Sequence, residues 1–253
     1  MRRALALLLM VLPLAACGGS QVTSLEPLAQ AADKTTNVAG AHFQMTGRIA
    51  THGQTLAFSG PGEIADHGKT LHMRMSMPAS ILGLSDSGTS QFEVVSSGGY
   101  FYLRGKVFDQ FAHGKWVRVK DTDPNFQLGQ NDPSQMLQYL RATSNVEEKG
   151  KATVRGFETT HYAARIQVDK VADRLSPEAA HALKQMSETL HAKEIPLDVW
   201  VDANGLVRRM KMNWHPSGAA LIVSLDLFDF GDVSVAVPAA SETTDLSAML
   251  GGG

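Results

Sequence analysis

Cys17 is the residue with the clearest potential for chemistry, and it is the only cysteine in a chain of 253 residues. Leu14, Ala15 and Ala16 precede it, and the two alanines are small enough to leave the backbone accessible to a peptidase. A cysteine thiolate is a nucleophile that can take up a diacylglyceryl group. Because Cys17 has no second cysteine to pair with, the folded part of the chain must be stabilised by packing and not by a disulfide.

The segment before Cys17 is organised as an export signal. Arg2 and Arg3 give it a positively charged start, and residues 4–13 form an apolar run that is too short to span a bilayer as a permanent helix. Together with the small residues before the cysteine, this pattern resembles a bacterial lipobox, which predicts cleavage before Cys17 and lipidation of its sulfur. Two alternatives are an ordinary secretion signal with an incidental cysteine, and an uncleaved anchor.

These features divide the chain into four segments. We expect a signal peptide over residues 1–16, then a lipidated cysteine and a flexible tether over residues 17–23. Residues 24–240 contain no repeat, charge block or linker and are predicted to be one domain, followed by a loose tail over residues 241–253. The expected location is the outer, extracytoplasmic face of the cell membrane, with Cys17 as the link to that membrane.

The composition excludes several classes of function. The formal net charge of −2 gives no sign of nucleic-acid binding, which needs a strongly basic surface. Beyond the signal, no apolar run approaches the 18 or so residues that a membrane-spanning helix requires. The chain therefore reads as an anchored globular protein.

A methionine-rich stretch is the second feature with chemical potential. Met73, Met75 and Met77 alternate with polar residues, as expected for a strand with one dry face. Three thioethers beside the imidazole of His72 would suit Cu(I). In a strand, however, His72 points away from the methionines, and same-face neighbours lie about 6.6 Å apart, twice the rise per residue. The spacing favours an apolar wall over a chelating site, and copper binding stays as an alternative.

The other ionisable residues form no recognisable catalytic set. None of the nine histidines has a partner at His-x-x-x-His spacing, and residues 83–87 resemble a nucleophile elbow only at their start. No glycine-rich phosphate loop precedes a helix. We therefore expect no enzymatic activity, no cofactor and no bound metal.

The surrounding elements follow two periodicities. Amphipathic helices are predicted over residues 24–36 and 132–143 and from Ser176 onward. About ten alternating strands fill most of the rest, with Asn204-Gly205 as the strongest hairpin turn. Alternating strands favour an antiparallel sheet with one dry face, on which the helices would bury their apolar stripes.

Several segments resemble the actinobacterial LppX/LprG-type lipoproteins, a family similar in fold to the LolA and LolB lipoprotein carriers. Beside the lipobox and the inserted Asp-Pro helix, the resemblance is carried by residues 156–162 (GFETTHY), 168–171 (VDKV), 197–202 (LDVWVD) and 206–209 (LVRR). It covers roughly residues 30–237. It implies a single-domain α+β fold: a curved antiparallel half-barrel sheet with helices packed on its concave face, enclosing an apolar cavity.

The resemblance also implies a function. Family members bind lipids or lipoglycans and carry them between envelope layers, some alongside an exporter, and no catalytic residue carries over. The alternation of apolar residues then assigns the cavity wall. The expected wall residues are Phe43, Met45, Met73, Met75, Phe92, Val94, Met136, Leu137, Leu140, Ile166, Met186, Met210 and Met212. The helix that starts at Asp132 or the loop after Gly83 is the expected gate.

A different class of function stays open beside the carrier. Apolar stripes of this kind are more often ordinary core filling than a binding cavity. The chain would then be a non-enzymatic surface lipoprotein with a filled core that docks to an envelope partner.

Overall fold

Twelve strands and four short helices make up the part of the chain that the computed structural model describes. The described residues are 26–51, 54–82, 88–121, 133–168, 175–190, 192–215 and 219–246. The helices are α1 (Glu26–Thr36), α2 (Asp109–Ala112), α3 (Pro133–Gln138) and α4 (Pro177–Leu190). The strands are β1 (Ala41–Thr51), β2 (Gln54–Ala65), β3 (Thr70–Pro78), β4 (Thr89–Ser97), β5 (Tyr100–Gly105), β6 (Trp116–Lys120), β7 (Thr143–Val154), β8 (Phe157–Gln167), β9 (Glu194–Asp202), β10 (Val207–Trp214), β11 (Ala219–Phe228) and β12 (Thr243–Asp245).

All twelve strands form one open, curved sheet in the order β12-β6-β5-β4-β3-β2-β1-β11-β10-β9-β8-β7. The strands β1 to β6 and β7 to β11 are two antiparallel meanders, and the pairing of β1 with β11 joins them into one surface. Among the strands that the structure describes, the β6–β12 pair alone is parallel. The predicted antiparallel sheet is therefore confirmed, with two more strands than expected.

The helices lie on one side of this sheet, which we call the inner face. Leu28, Ala31 and Ala32 of α1 are almost fully buried and belong to the same apolar cluster as the inner-face residues of β1, β3 and β10. Ala179 and Leu183 of α4 belong to it as well. Complete burial of one leucine contributes about 1.5–3 kcal/mol. The cluster therefore fixes the short helices on the sheet, although none of them is long enough to be stable alone.

A glycine on β2 allows the inner face to pack tightly. Gly62 lies opposite Phe43 in the β1–β2 register, and a Cβ on Gly62 would collide with the Phe43 ring and with the backbone of His72. The fully buried Phe43 ring therefore lies over the bare glycine backbone. Any larger residue at position 62 would displace the ring from the core.

The structure corrects the predicted helix over residues 132–143. Its α-helical part ends at Gln138, residues 139–142 form a 3-10 turn, and Thr143 already begins β7. The Thr143 hydroxyl donates to the Leu140 carbonyl at 2.8 Å and closes that turn. Alternation did not reveal the first half of β7 because its pairing with β8 shifts register on either side of Glu147-Glu148.

The structure also corrects the prediction of a loose tail from residue 241. Thr243–Asp245 form β12, and Asp245 accepts two hydrogen bonds from Arg118 of β6, both at 2.8 Å. Leu246 is buried in a second apolar cluster beside Val117. A strand of three residues is too short to show alternation, and it forms only because a distant strand edge accepts it.

The signal peptide, Cys17 and the tether lie outside the described residues, as do Asp132 and the loop 83–87 expected to act as a gate. Within the described ranges, no helix has the length and apolarity that crossing a bilayer requires.

Candidate functional site

The predicted wall residues converge on the inner face. Ten of them are at most 7% exposed and belong to one apolar cluster: Phe43, Met45, Met73, Met75, Met136, Leu137, Leu140, Ile166, Met210 and Met212. Val94 lies in the second cluster, with Phe101 and Leu103, and the half-buried Phe92 packs against both clusters. The Met186 side chain lies outside the described residues.

These side chains pack against one another and against the helices. Phe43, Ile166 and Met210 have no exposed surface, and Leu28 and Ala32 of α1 in the same cluster are equally buried. Protein interiors at this burial are packed as densely as organic crystals. The described residues therefore show a packed apolar layer where the sequence predicts a wall, and they do not show the large cavity that the family resemblance implies.

The described residues do form a pocket at one seam between helices and sheet, with a volume of about 270 Å³. The C-terminal end of α1 forms one side, α3 and the 3-10 turn after it form the second, and β1, β2 and β11 form the floor. Its lining comprises Thr35, Thr36, Val38, Ala41, Ile64, His67, Gly68, Leu137, Gln138, Arg141, Leu227 and Phe230. We call this the seam pocket.

Of the predicted wall residues whose side chains the structure describes, Leu137 alone lines the seam pocket. Most other lining residues come from a last helical turn or from connections between elements, where neither the helical nor the strand period applies. His67, for example, lies in a 3-10 turn with a positive φ of 56°. Local sequence carries no signal that such residues meet, so sequence reasoning could not have found them.

The polar rim of the seam pocket is partly occupied by internal contacts. Arg141 donates from Nε and Nη2 to the Asp33 Oδ1 atom, at 3.0 and 2.7 Å. His67 donates from Nδ1 to the Asn37 carbonyl at 3.1 Å. The half-buried Gln138 amide has no hydrogen-bond partner among the described residues. The rim thus keeps donor groups next to an apolar floor.

Two contacts hold the C-terminal end of α1 beside the seam pocket. The buried Thr35 hydroxyl donates to the Ala31 carbonyl at 2.7 Å and accepts the Val207 backbone N–H at 2.9 Å. Lys34 donates to the Asn204 carbonyl at 3.3 Å in the turn between β9 and β10. The predicted Asn204-Gly205 hairpin therefore supports the helix that forms one side of the pocket.

A β-bulge explains why Arg208 interrupts an apolar stripe in the sequence. Val207 pairs with Val201 and Arg209 with Trp200, so Arg208 is the extra residue on β10. Its side chain pairs with Asp202 at 2.7 Å. The stripe on the inner face is therefore continuous, because Arg208 does not take a place in the regular alternation.

The outer face carries a row of paired charges across four strands. His72 lies 2.8 Å from Glu63 and 3.2 Å from Glu93, and Arg104 donates to Glu93 at 2.8 Å. Burial acts to raise the pKa of Glu93, but hydrogen bonds and charge from Arg104 and His72 outweigh it and leave that pKa below its ordinary value. His72 is thus engaged on the face opposite Met73, as the copper argument predicts from strand geometry.

Two further observations concern groups that could react or bind a metal: a buried tyrosine, and the His, Cys, Asp and Glu side chains. Burial raises the pKa of Tyr139 to about 12, so its phenol stays neutral at physiological pH. No group of three or more His, Cys, Asp or Glu residues in the described ranges could hold a metal ion.

This geometry defines a class of protein: an open, curved, mostly antiparallel sheet whose apolar face is covered by short helices. LprF from Mycobacterium bovis has a similar fold, with a TM-score of 0.50 and 12% sequence identity, over 88% of this chain and 99% of LprF. The lipoprotein LppX from Mycobacterium tuberculosis aligns with a TM-score of 0.49 and 16% identity, over 84% of this chain and 97% of LppX. The predicted resemblance to LppX/LprG-type lipoproteins is confirmed at the level of the fold.

At the sequence level the comparisons are sparser. An uncharacterized 31.2 kDa protein from the rplA-rplJ intergenic region of Streptomyces griseus is 28% identical over 128 residues. The match covers 49% of this chain and 42% of that relative. No family model matches the sequence.

Proposed function

We propose that this protein is a non-enzymatic envelope lipoprotein that binds the acyl chains of a lipid or lipoglycan between its helices and the inner face of its sheet. The observation that carries the proposal is a continuous apolar layer between sheet and helices, with a pocket open at its seam. The fold shared with LprF and the motifs resembling LppX/LprG-type lipoproteins support it. Carriage or sensing of the lipid needs no chemical step, only transfer of chains from a bilayer to an apolar site.

The structure limits how that site would form. The pocket of about 270 Å³ is slightly below the 300–1,000 Å³ of typical small-molecule sites. A lipid with several chains would need the helices to separate from the sheet. The short helices suit such a movement because each is held by packing and not by its own stability.

The anchor belongs to the same proposal. Lipidation at Cys17 would hold the protein at the outer face of the cell membrane, with an envelope exporter as a further candidate partner. Each buried methylene of an acyl chain contributes about 0.8 kcal/mol, so several chains make anchoring effectively permanent. An anchored carrier must then hand over its lipid within reach of the tether.

The test uses the full-length chain with Cys17→Ala, expressed in a bacterial cell and purified without detergent from the soluble fraction. We expect native mass spectrometry to show a co-purified lipid, or the protein to bind a fluorescent acyl probe. Met73→Trp fills the inner face and should weaken probe binding, whereas Arg74→Trp on the same strand changes the outer face and should not. A clean apo mass with no probe binding contradicts the proposal, as does equal binding by both variants when circular dichroism shows them folded.

The dense packing of the predicted wall favours a second candidate. If the inner face is a filled core, the protein would act through its surface, as a lipoprotein that docks to an envelope partner. That candidate predicts no co-purified lipid and no probe binding. Copper binding remains a third hypothesis, for which a Cu(I) titration that is lost in Met75→Leu would be the evidence.

A further inference from the structure

The seam pocket has a composition that separates it from the packed layer beneath the helices. Its floor is apolar, formed by Ala41, Ile64, Leu227 and Phe230 among others. Its volume of about 270 Å³ has no room for the several chains of a membrane lipid. As it stands, the pocket accommodates one short chain or part of a longer one.

The charge of the lining has one sign. Arg141 carries the only permanent charge among the twelve described lining residues, and no acidic residue lies among them. An apolar floor with a guanidinium at its rim fits an amphiphile whose head group is an anion.

Arg141 has further N–H donors that could bind such a head group. A guanidinium has five N–H donors, and the recorded bonds of Arg141 use Nε and Nη2, both directed at one oxygen of Asp33. The side chain of Arg141 is 38% exposed, so it is accessible from solvent. The Gln138 amide on the same turn of chain supplies further donors and has no described partner.

Two nearby features oppose an anion. Asp33 is 58% exposed and negatively charged, and the C-terminal end of α1, which is the negative end of the helix dipole, forms one side of the pocket. A direct bond from guanidinium to a carboxylate or phosphate is stronger than a screened helix-end effect. The anion would therefore bind to the N–H groups of Arg141 that do not donate to Asp33.

We propose that the seam pocket binds a single-chain amphiphile with a carboxylate or phosphate head, such as a fatty acid or a lysophospholipid. Arg141 and Gln138 hold the head group, and the apolar floor takes the chain. This inference rests on the proposed lipid-binding function and deepens it by naming the class of ligand.

The test compares ligands that share one chain length. Decanoate, decyl phosphate and decanol are titrated calorimetrically, below their aggregation concentrations, into the full-length chain with Cys17→Ala. We expect both anions to bind more tightly than decanol. Arg141→Gln should weaken both anions about tenfold and leave decanol unchanged. The relative strength of decanoate and decyl phosphate then identifies the head group.

Asp33→Asn distinguishes an anion receptor from a structural latch. If Arg141 binds the head group, removal of the Asp33 charge frees the guanidinium and decanoate should bind at least as tightly as before. If Arg141 only ties its turn to α1, Asp33→Asn and Arg141→Gln should weaken binding alike, and the inference is overturned. Arg165→Gln is the matched control, since Arg165 is an exposed arginine paired with Glu194 at 3.6 Å on another strand.

The two proposals fail in different ways. Equal binding of decanoate and decanol in the unmodified site refutes the anionic ligand but keeps the acyl-binding function. If decanoate, decanol and the fluorescent acyl probe all fail to bind, the proposed function is contradicted together with this inference.

Discussion

The Asp202–Arg208 pair shows how one side chain can disturb a sequence pattern without disturbing the fold. Arg208 is 8% and Asp202 5% exposed in their side chains. The Asp202 carboxylate also accepts the backbone N–H groups of Asn204 and Leu206, at 2.9 and 3.0 Å. The Arg208 guanidinium lies 3.9 Å from the centre of the Phe157 ring. These contacts satisfy the buried charges and fix the turn on which α1 rests.

Arg208→Leu should therefore destabilise the protein strongly. The variant leaves the Asp202 carboxylate buried without its cation, which typically costs about 3–5 kcal/mol. Equilibrium urea unfolding gives the change in free energy. Arg165→Leu removes an exposed ion pair and should change stability by no more than about 0.5 kcal/mol. Equal losses in the two variants would contradict the assigned role of the buried pair.

The strand β12 is the element whose place in the sheet depends most clearly on one ion pair, between Arg118 and Asp245. The hydrogen bonds from Arg118 hold the pKa of Asp245 below its ordinary value of 3.8. A carboxyl whose pKa is lowered by folding stabilises the folded state above its ordinary pKa, and that contribution is lost as the pH falls toward the lowered value. The pairing of β12 with β6 should thus weaken in acid.

We expect β12 to detach as the pH falls below about 3.8, before the main sheet unfolds. Hydrogen exchange at Thr243–Asp245 measures this, with the β9–β10 pair as the internal reference. Asp245→Asn should show faster exchange in β12 already at neutral pH and little further change in acid. A pH response of β12 that is the same in Asp245→Asn would contradict the role of the carboxyl.

For the protein as a unit, the proposal separates an anchor from a binding domain. Cys17→Ala removes the sulfur that would carry the lipid, so the protein should move from the membrane fraction to the soluble fraction. Binding of the acyl probe should be unchanged, because the described residues of the inner face and of the seam pocket all come after residue 25. Cell fractionation and the probe titration measure the two effects. A variant that stays in the membrane although mass spectrometry shows that residues 1–16 have been removed contradicts lipidation at Cys17. Loss of probe binding contradicts the separation of the two parts.

Most of the fold could be predicted from the alternation of apolar and polar residues along the strands. Met73 and Met75, or Met210 and Met212, lie on the inner face as their period of two predicts, because side chains of a strand must alternate between faces. Alternation likewise placed His72 on the outer face, where it contacts Glu63. It missed the first half of β7, where the register shifts, and β12, which is too short for a period.

The site was harder to predict than the sheet. Local pattern can state that Phe43 or Ile166 is buried, since burial follows from apolar periodicity. It cannot state whether a buried residue faces a cavity or another side chain, because that depends on how closely helix and sheet approach. In this protein the helices lie close to the sheet over the predicted wall. They lie farther from it at the seam, where Arg141 and Gln138 are beside the end of α1.

Composition and order along the chain were thus sufficient to predict the apolar inner face and the antiparallel sheet, since each depends on neighbours in the sequence. The position of the pocket, the bulge that removes Arg208 from the inner face and the capture of the tail by β6 depend on contacts between residues far apart in the chain. Such contacts form only when β1 has paired with β11 and the helices have packed on the sheet. The pocket therefore lies where packing is incomplete, and no local pattern records incomplete packing.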